Sequence, residues 1–264
     1  MKLSAIVLTR NEEQNIGECL AALSFADERL VVDSGSTDLT ASRAEACGAR
    51  VMMHSFSDFA AQRNFAMSQT KGDWVLFIDA DERVTPQLAG EIKAAISQCR
   101  EGSDREVIPL PKSAQDDEKS QLSVYAIPRH NYFFGQRLRF SDSREDAPVR
   151  LFPRQHVTWA QPVHEMIMTD LPVRKLQSPL LHYSTRDIAH YQQKVHDYVP
   201  LELKTMKEKG LTPVFWKCVF MPPAKFFQLY FLKFGILDGL AGFQYAILSS
   251  YYTFEKHWRY WKTR

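Results

Sequence analysis

Apolar residues come in short unbroken runs along the first third of the chain, and polar turns separate these runs from stretches with helical spacing. Leu3 to Leu8, Arg29 to Val32 and Trp74 to Ile78 are such runs, and their lack of apolar–polar alternation predicts strands buried on both faces. Between the first two, Ile16, Cys19, Leu20 and Leu23 share one face of a helix. A further unit places a strand at Arg50 to Met53 and a helix through Phe59, Phe65 and Ala66, and another helix is expected from Pro86 to about Gln98. Strand and helix therefore alternate, which predicts an α/β fold with a doubly wound, mostly parallel sheet. Residues 100 to 122 interrupt the pattern with a polar, proline-bearing stretch, read as a mobile surface loop rather than a domain boundary. Short β-like runs follow from Val124 to about Tyr183, and residues 186 to 209 carry a charged helical pattern ending near Gly210.

The last fifth of the chain differs in kind. Residues 211 to 264 hold 16 of the 32 aromatic residues, interleaved with Lys217, Lys225, Lys233, Lys256, Arg259 and Lys262. Seven Lys or Arg against Asp238 and Glu255 give this segment a local charge of +5 within a chain of net +2, leaving −3 for residues 1 to 210. Aromatic rings with cationic side chains suit a membrane interface, where rings sit at headgroup level and cations meet anionic lipid. Phe234 to Phe254 is long enough to span a bilayer, but Asp238, Gln244 and several hydroxyls make a spanning helix costly. The expectation is a helical hairpin lying in the interface; the competing reading is an aromatic cap on the main domain or a dimer seam.

At 264 residues and 45% hydrophobic content the chain suits one large domain, residues 1–210, with an appendage over 211–264. Cys19, Cys47, Cys99 and Cys218 are scattered, with no Cys-x-x-Cys, which argues against a zinc site or a redox motif and for reduced cytosolic thiols. Arg10 and two glutamates follow the first apolar run too closely for a secretion signal.

The chemistry concentrates at strand ends. Trp74 to Ile78 runs into Asp79-Ala80-Asp81, two carboxylates at the carboxyl end of a buried strand, where open α/β sheets bind ligands. Oxygen donors suit Mg²⁺ or Mn²⁺, which take one or two carboxylates and complete their shell with water and substrate phosphates. Such an ion calls for a nucleoside diphosphate as guest. The second strand ends in Val32-Asp33-Ser34-Gly35-Ser36-Thr37-Asp38, where glycine permits a tight turn and Ser36 or Thr37 can cap the next helix. Asp33 there suits either a hydrogen bond from base or ribose or stabilisation of its own turn. Thr9-Arg10-Asn11-Glu12 ends the first strand in the equivalent place. It lacks the glycine-rich basic loop that nucleotidyl transfer usually brings, which argues against that chemistry.

These segments, with Gln62-Arg63-Asn64 and Asp79-Ala80-Asp81-Glu82, resemble the inverting family 2 glycosyltransferases of the nucleotide-diphosphosugar transferase (GT-A) fold. Pro128-Arg129-His130-Asn131-Tyr132-Phe133-Phe134-Gly135, Val149-Arg150-Leu151-Phe152, Val163-His164-Glu165, Leu181-His182-Tyr183 and Leu237-Asp238-Gly239 are similar to the subgroup with bacterial lipopolysaccharide core β-1,4-glucosyltransferases. The resemblance implies glucose transfer from UDP-glucose to a heptose of the lipopolysaccharide inner core. It implies that Thr9, Glu12 and Asp33 hold the nucleoside, Asp33 facing the uracil, with Asn11, Ser34 and Asp38 in the same pocket. Arg63 then meets the diphosphate, Asp79 lies near the ribose, and Asp81 ligates the metal, with Asp79 and His182 as further metal contacts. A lipid A–core acceptor and the cytoplasmic face of the bacterial inner membrane, bound peripherally or monotopically, follow from the same resemblance, with no nucleic-acid partner.

Inversion requires a base that takes the acceptor hydroxyl's proton on the face opposite the leaving group. Glu165, after Pro162-Val163-His164, and Asp146, in a charged run with Arg144 and Glu145, are the two candidates. Arg129, Arg137 and Arg139, alternating with Tyr132, Phe133 and Phe134, suit a phosphorylated sugar or a solvated loop, and Arg150 suits an anionic acceptor or structural carboxylates. Rival readings are the same fold acting on a polyprenyl phosphate, or a noncatalytic nucleotide-binding scaffold at the membrane.

Overall fold

The computed structural model describes residues 1–103, 122–144, 146–160 and 166–263 of the chain. Its strands are β1 (Leu3–Thr9), β2 (Glu28–Asp33), β3 (Arg50–Met53), β4 (Trp74–Asp79), β5 (Glu82–Val84), β6 (Val124–Ala126), β7 (Arg129–Phe133), β8 (Gln136–Leu138), β9 (Val149–Pro153), β10 (Thr158–Ala160), β11 (Met166–Met168), β12 (Val173–Lys175) and β13 (Leu180–Thr185). The α-helices are α1 (Ile16–Ala22), α2 (Thr40–Ala46), α3 (Phe59–Ser68), α4 (Pro86–Ser103), α5 (Ile188–Glu208), α6 (Phe215–Phe227) and α7 (Gly239–Trp261). Two compact units result, residues 1–129 with 147–182 and residues 130–146 with 183–264.

The first unit holds a seven-stranded sheet in the order β12-β6-β9-β4-β1-β2-β3. β4, β1, β2 and β3 pair in parallel, as the unbroken apolar runs predict, while β9 is antiparallel to both β4 and β6. Alternate residues of one strand feed opposite cores, which is why these strands need apolar residues throughout. Leu3, Ala5 and Val7 of β1 and Trp74, Leu76 and Ile78 of β4 pack with α1 and α4, whereas Ile6, Val75 and Phe77 pack with α3. Each large side chain buried this way contributes ~1.5–3 kcal/mol. The helices start where their flanking residues dictate. Asp58 accepts the Ala61 N–H ahead of α3, and Thr85 accepts the Leu88 N–H ahead of α4, with Pro86 in the first helical position. α4 runs five residues beyond the expected Gln98, to Ser103; the remainder of the stretch read as a mobile loop, 104–121, lies outside the described residues.

Register then sets the edge that matters. Thr9 pairs with Asp33 and Leu8 with Asp79, so the carboxyl ends of β1, β2 and β4 finish level with one another. At the amino-terminal end of β2, burial raises the Glu28 pKa, but the Lys71 N–H (2.9 Å), the Ser4 hydroxyl and Arg50 (2.8 Å) hold it below the ordinary carboxylate value. A depressed folded-state pKa stabilises above the unfolded value and is lost as pH falls through the folded one. Glu28→Gln is therefore expected to cost about 1 kcal/mol at neutral pH, a gap that closes in acid; urea melts at neutral and acid pH read it directly.

The second unit begins with the β7–β8 hairpin, in which Tyr132 pairs with Arg137 and Phe133 with Gln136. Phe134 (φ 50°) and Gly135 (φ 74°) form its two-residue turn, both in the left-handed region that matches strand twist. Phe133 is buried with Leu138 and Ala241 against Tyr191 and Tyr245, so it builds a core and does not grip a ligand. Helix α5 belongs to this unit, whereas the sequence division at residue 210 placed it with the main domain. The reason is long-range pairing with α7: the Tyr191 hydroxyl donates to Leu248 O (2.7 Å), and Glu202 meets the Tyr252 hydroxyl (3.0 Å) and Lys256 (2.8 Å). α6 continues through a π-helical turn, Gln228–Leu232, and a 3₁₀ turn, Gly235–Asp238, leads into α7. A Cβ at Gly242 would run into the Gly235 carbonyl, so that crossing requires glycine. Among the described residues no single helix is long and apolar enough to cross a membrane; Phe215–Leu232 and Gly235–Trp261 together reach that length and composition but are bent by 73°.

Candidate functional site

The level strand ends carry two interlocked loops. Asn11, at φ 55°, accepts the Thr37 N–H (2.8 Å), and its own N–H reaches the Ser36 hydroxyl (2.8 Å). The Glu12 N–H donates to the Thr40 hydroxyl (2.8 Å), and Asp38 accepts the Thr40 and Glu13 N–H groups (3.0 and 3.2 Å). The N-cap of α2 is Leu39, without a side-chain cap, and the first helical N–H, that of Thr40, goes to Asp38; the sequence suggested Ser36 or Thr37 as cap. Asp33 is fully buried and turned inward: it accepts the Gly35 and Ser36 N–H groups (2.9 and 2.7 Å), the Ser36 hydroxyl and the Thr9 hydroxyl (3.1 Å). Both its oxygens accept within the turn and one accepts from Thr9 as well, so the turn-stabilising role is present here beside the expected contact with a base. Ser34 accepts from Gln62 Nε2 (3.0 Å), and Gln62 also engages His54 (2.6 Å). The structure brings Thr9, Asn11, Glu12, Asp33, Ser34 and Asp38 together as a rigid floor.

Beside that floor lies a buried charge cluster. Glu82 is fully buried at the start of β5 and accepts the Asp79 N–H (2.9 Å), Arg150 Nη2 (2.8 Å) and Arg129 Nη1 (3.2 Å). Arg150 also reaches both oxygens of Asp79. Burial opposes charge on all three groups, with different results. For Asp79, Arg150 and Arg63 outweigh burial and hold the carboxyl below its ordinary value. For Glu82, burial and the neighbouring Asp79 outweigh Arg150 and push the carboxyl up. Arg150 is buried too, yet its two carboxylate partners raise its pKa and keep it charged.

Asp81 is 8% exposed, with His182 Nε2 3.5 Å from its carboxylate. The antiparallel pairing of β5 with β13 sets His182 opposite Glu82 and hence next to Asp81. Arg63 lies under the cluster, its guanidinium 5.0 Å from the Phe77 ring centre and 4.6 Å from that of Trp159. Asn64 clips the same strand by exchanging hydrogen bonds with the Trp159 backbone (2.9 and 3.0 Å). The Gln62-Arg63-Asn64 motif therefore builds the wall behind β4.

Other sequence candidates fall elsewhere. Arg150 meets Asp79 and Glu82, the structural carboxylates that were one of its two readings, and Arg129 meets Glu82 (3.2 Å). Arg137 is exposed in the second unit, and there Asp146 accepts from Asn131 Nδ2 (2.9 Å). Glu165 lies outside the described residues. Glu82 and Trp159 were missed as contributors. The signal for Glu82 was present: a third acid within four residues of a buried strand end demands a cation in the fold.

A divalent ion fits this site in reduced form. Arg150 binds both Asp79 oxygens, and the Asp81 carboxylate with His182 Nε2, 3.5 Å apart, are the pair that would hold a cation. No three His, Cys, Asp or Glu side chains gather as a metal cage among the described residues. Two protein donors suffice for an ion that completes its shell with water and phosphate oxygens, and an imidazole among them suits Mn²⁺ better than Mg²⁺.

The profile of Glycosyl transferase family 2 matches residues 4–144. A lipopolysaccharide core biosynthesis glycosyltransferase, LpsC of Rhizobium meliloti, is 28% identical over 272 residues, covering 97% of this chain and 93% of that protein. An uncharacterized glycosyltransferase of Rickettsia bellii is 41% identical over 93 residues, which cover 35% of this chain and 32% of the relative. Among solved structures, glucosyl-3-phosphoglycerate synthase from Mycobacterium tuberculosis, in complex with Mn²⁺, UDP and glucosyl-3-phosphoglycerate, is 33% identical with a TM-score of 0.29. That match covers 31% of this chain and 34% of the synthase.

Proposed function

Since this chain belongs to glycosyl transferase family 2, and is a glycosyltransferase, we propose that it moves glucose from UDP-glucose, with inversion, onto a heptose of the lipopolysaccharide inner core. The observation that carries the acceptor class is similarity along nearly the whole length of both chains to a lipopolysaccharide core glycosyltransferase. The geometry supports the donor side. The loops after β1 and β2 form a fixed floor for a nucleoside, and Arg150 orients Asp79 with a part of its carboxylate still open to a ribose. Asp81 and His182 would hold the divalent ion at the diphosphate. When bound, that ion offsets the charge growing on the departing UDP.

The acceptor hydroxyl attacks the anomeric carbon as its bond to the UDP oxygen breaks, and its proton passes to a carboxylate base. Glu165 and Asp146 are the two groups proposed for that role. The cytoplasmic face of the inner membrane is the proposed location, since an acceptor confined to a surface meets a surface-bound enzyme at raised effective concentration. Mass spectra of lipopolysaccharide from a strain lacking this protein are expected to show an inner core short of one hexose, restored by the wild-type gene. An unchanged core, with labelled UDP-glucose instead glycosylating undecaprenyl phosphate in purified assays, would reject this acceptor for a polyprenyl phosphate.

A further inference from the structure

The second unit carries an inverted surface. In α7 the most exposed positions are Gly239, Leu240, Phe243, Ile247, Tyr251 and Phe254, and none bears a charge. Their spacing of three and four residues draws one apolar stripe along the helix. In α6, Trp216 and Phe220 are 63% and 62% exposed, and Leu232 and Leu237 around the turn are 64% and 63% exposed. A helix in water puts charge where these residues stand. The charges of this region are instead paired off the stripe: Lys225 (3.5 Å) and Lys233 sit on Asp142, Lys256 on Glu202 (2.8 Å) and Arg259 on Glu255 (2.8 Å).

Two further observations fix the orientation. The ends of the α6–α7 hairpin are joined, because the Tyr260 hydroxyl donates to Leu211 O and the Phe215 and Trp261 rings lie 5.3 Å apart. At the opposite end the turn is tied to a polar segment: Asp238 accepts the Arg139 and Phe140 N–H groups (3.0 and 2.9 Å), and the Ser141 N–H donates to Lys233 O (2.9 Å). Arg137, Arg139 and Arg144 are exposed on that segment, while Lys217 and Lys262 flank the joined ends. An upright hairpin would drag three arginines toward hydrocarbon, at high cost. Lying flat puts cations at both ends of an uncharged stripe, which complements anionic headgroups around an acyl boundary.

We propose that the α6–α7 hairpin lies flat in one leaflet of an anionic bilayer, its turn and its joined ends at equal depth, without crossing. The proposal deepens the membrane location given above and rests on it. Vesicle binding is read without sugar transfer, so failure of the reaction and failure of the hairpin are distinguishable. The full-length protein is expected to float with phosphatidylcholine–phosphatidylglycerol vesicles, with its tryptophan fluorescence quenched by brominated lipid. Leu240→Asp combined with Ile247→Asp is expected to lower the bound fraction roughly tenfold at unchanged circular dichroism. Nitroxides on Leu240→Cys and Phe254→Cys, in a Cys47→Ser background, are expected to report the same depth. A depth difference near the ~21 Å between those positions along the helix would overturn the flat orientation. Wild-type protein that ignores the vesicles, or that buries the stripe by dimerising in sedimentation runs, would overturn lipid as the occupant.

Discussion

Asp81→Ala is expected to lower glucose transfer by roughly three orders of magnitude while leaving the melting temperature unchanged. The two halves of that result follow from one geometry. Asp79 and Glu82 are both bound by Arg150, whereas Asp81 has His182 Nε2 3.5 Å from its carboxylate, a pairing of donors suited to a cation. It stands two residues past the end of β4 and is not one of the carboxylates that Arg150 holds. Removing it takes away a carboxylate placed to hold the proposed cation at the diphosphate, and with it the charge that would offset departing UDP. Asp81→Asn separates charge from shape: it keeps the hydrogen-bonding outline and is expected to fail nearly as badly as alanine. UDP binding by calorimetry supplies the second readout. Wild-type affinity is expected to fall when EDTA is added, and that sensitivity disappears in both variants. Transfer retained within about tenfold in Asp81→Ala, or wild-type UDP binding indifferent to EDTA, would remove the metal role from this carboxylate. The noncatalytic scaffold predicts neither transfer nor slow hydrolysis of UDP-glucose in the wild type, so the same assay separates it.

The parallel core was legible because strands buried on both faces leave no polar alternation, and β1 and β4 declare themselves by Ala5-Ile6-Val7 and Val75-Leu76-Phe77. Strand ends were legible for the same reason, since polarity returns abruptly at Thr9, Asp33 and Asp79. The use each polar residue makes of its position was much less so. Asp33 reads alike as a uracil contact or an Asx-type turn, and the turn bonds, from the Gly35 and Ser36 N–H groups, become visible only in the structure. Arg150 lies 71 residues from Asp79 in sequence, and an antiparallel strand inserted into a parallel sheet brings them together. Local pattern does not carry that pairing. The pairing of helix α5 was hidden for a similar reason, because its partners Leu248, Tyr252 and Lys256 lie on α7, roughly fifty residues later.

Arg150→Met is expected to destabilise the protein by about 3 kcal/mol, because it leaves buried Glu82 beside the partly exposed Asp79 with their principal cation gone. Glu82 has no solvent to turn to, and Arg129 (3.2 Å) with Arg63 supplies only part of the missing charge, which keeps the loss at the lower end of the range for broken buried pairs. Methionine retains much of the arginine stem, so the change reads charge rather than volume. Arg150→Lys is not expected to rescue, since a single ammonium cannot span Asp79 and Glu82 as the planar guanidinium does. Pairing Arg150→Met with Glu82→Gln removes one buried charge along with its cation and is expected to recover about half the loss, a coupling that a double-mutant cycle in urea measures. Additive effects in that cycle, or an unshifted midpoint for Arg150→Met alone, would mean that β4 and β9 are held by packing alone. The functional consequence runs through Asp79. Freed from Arg150, its carboxylate loses a fixed direction, and UDP affinity is expected to fall in folded Arg150→Met protein at low temperature, where the lost stability no longer limits the measurement.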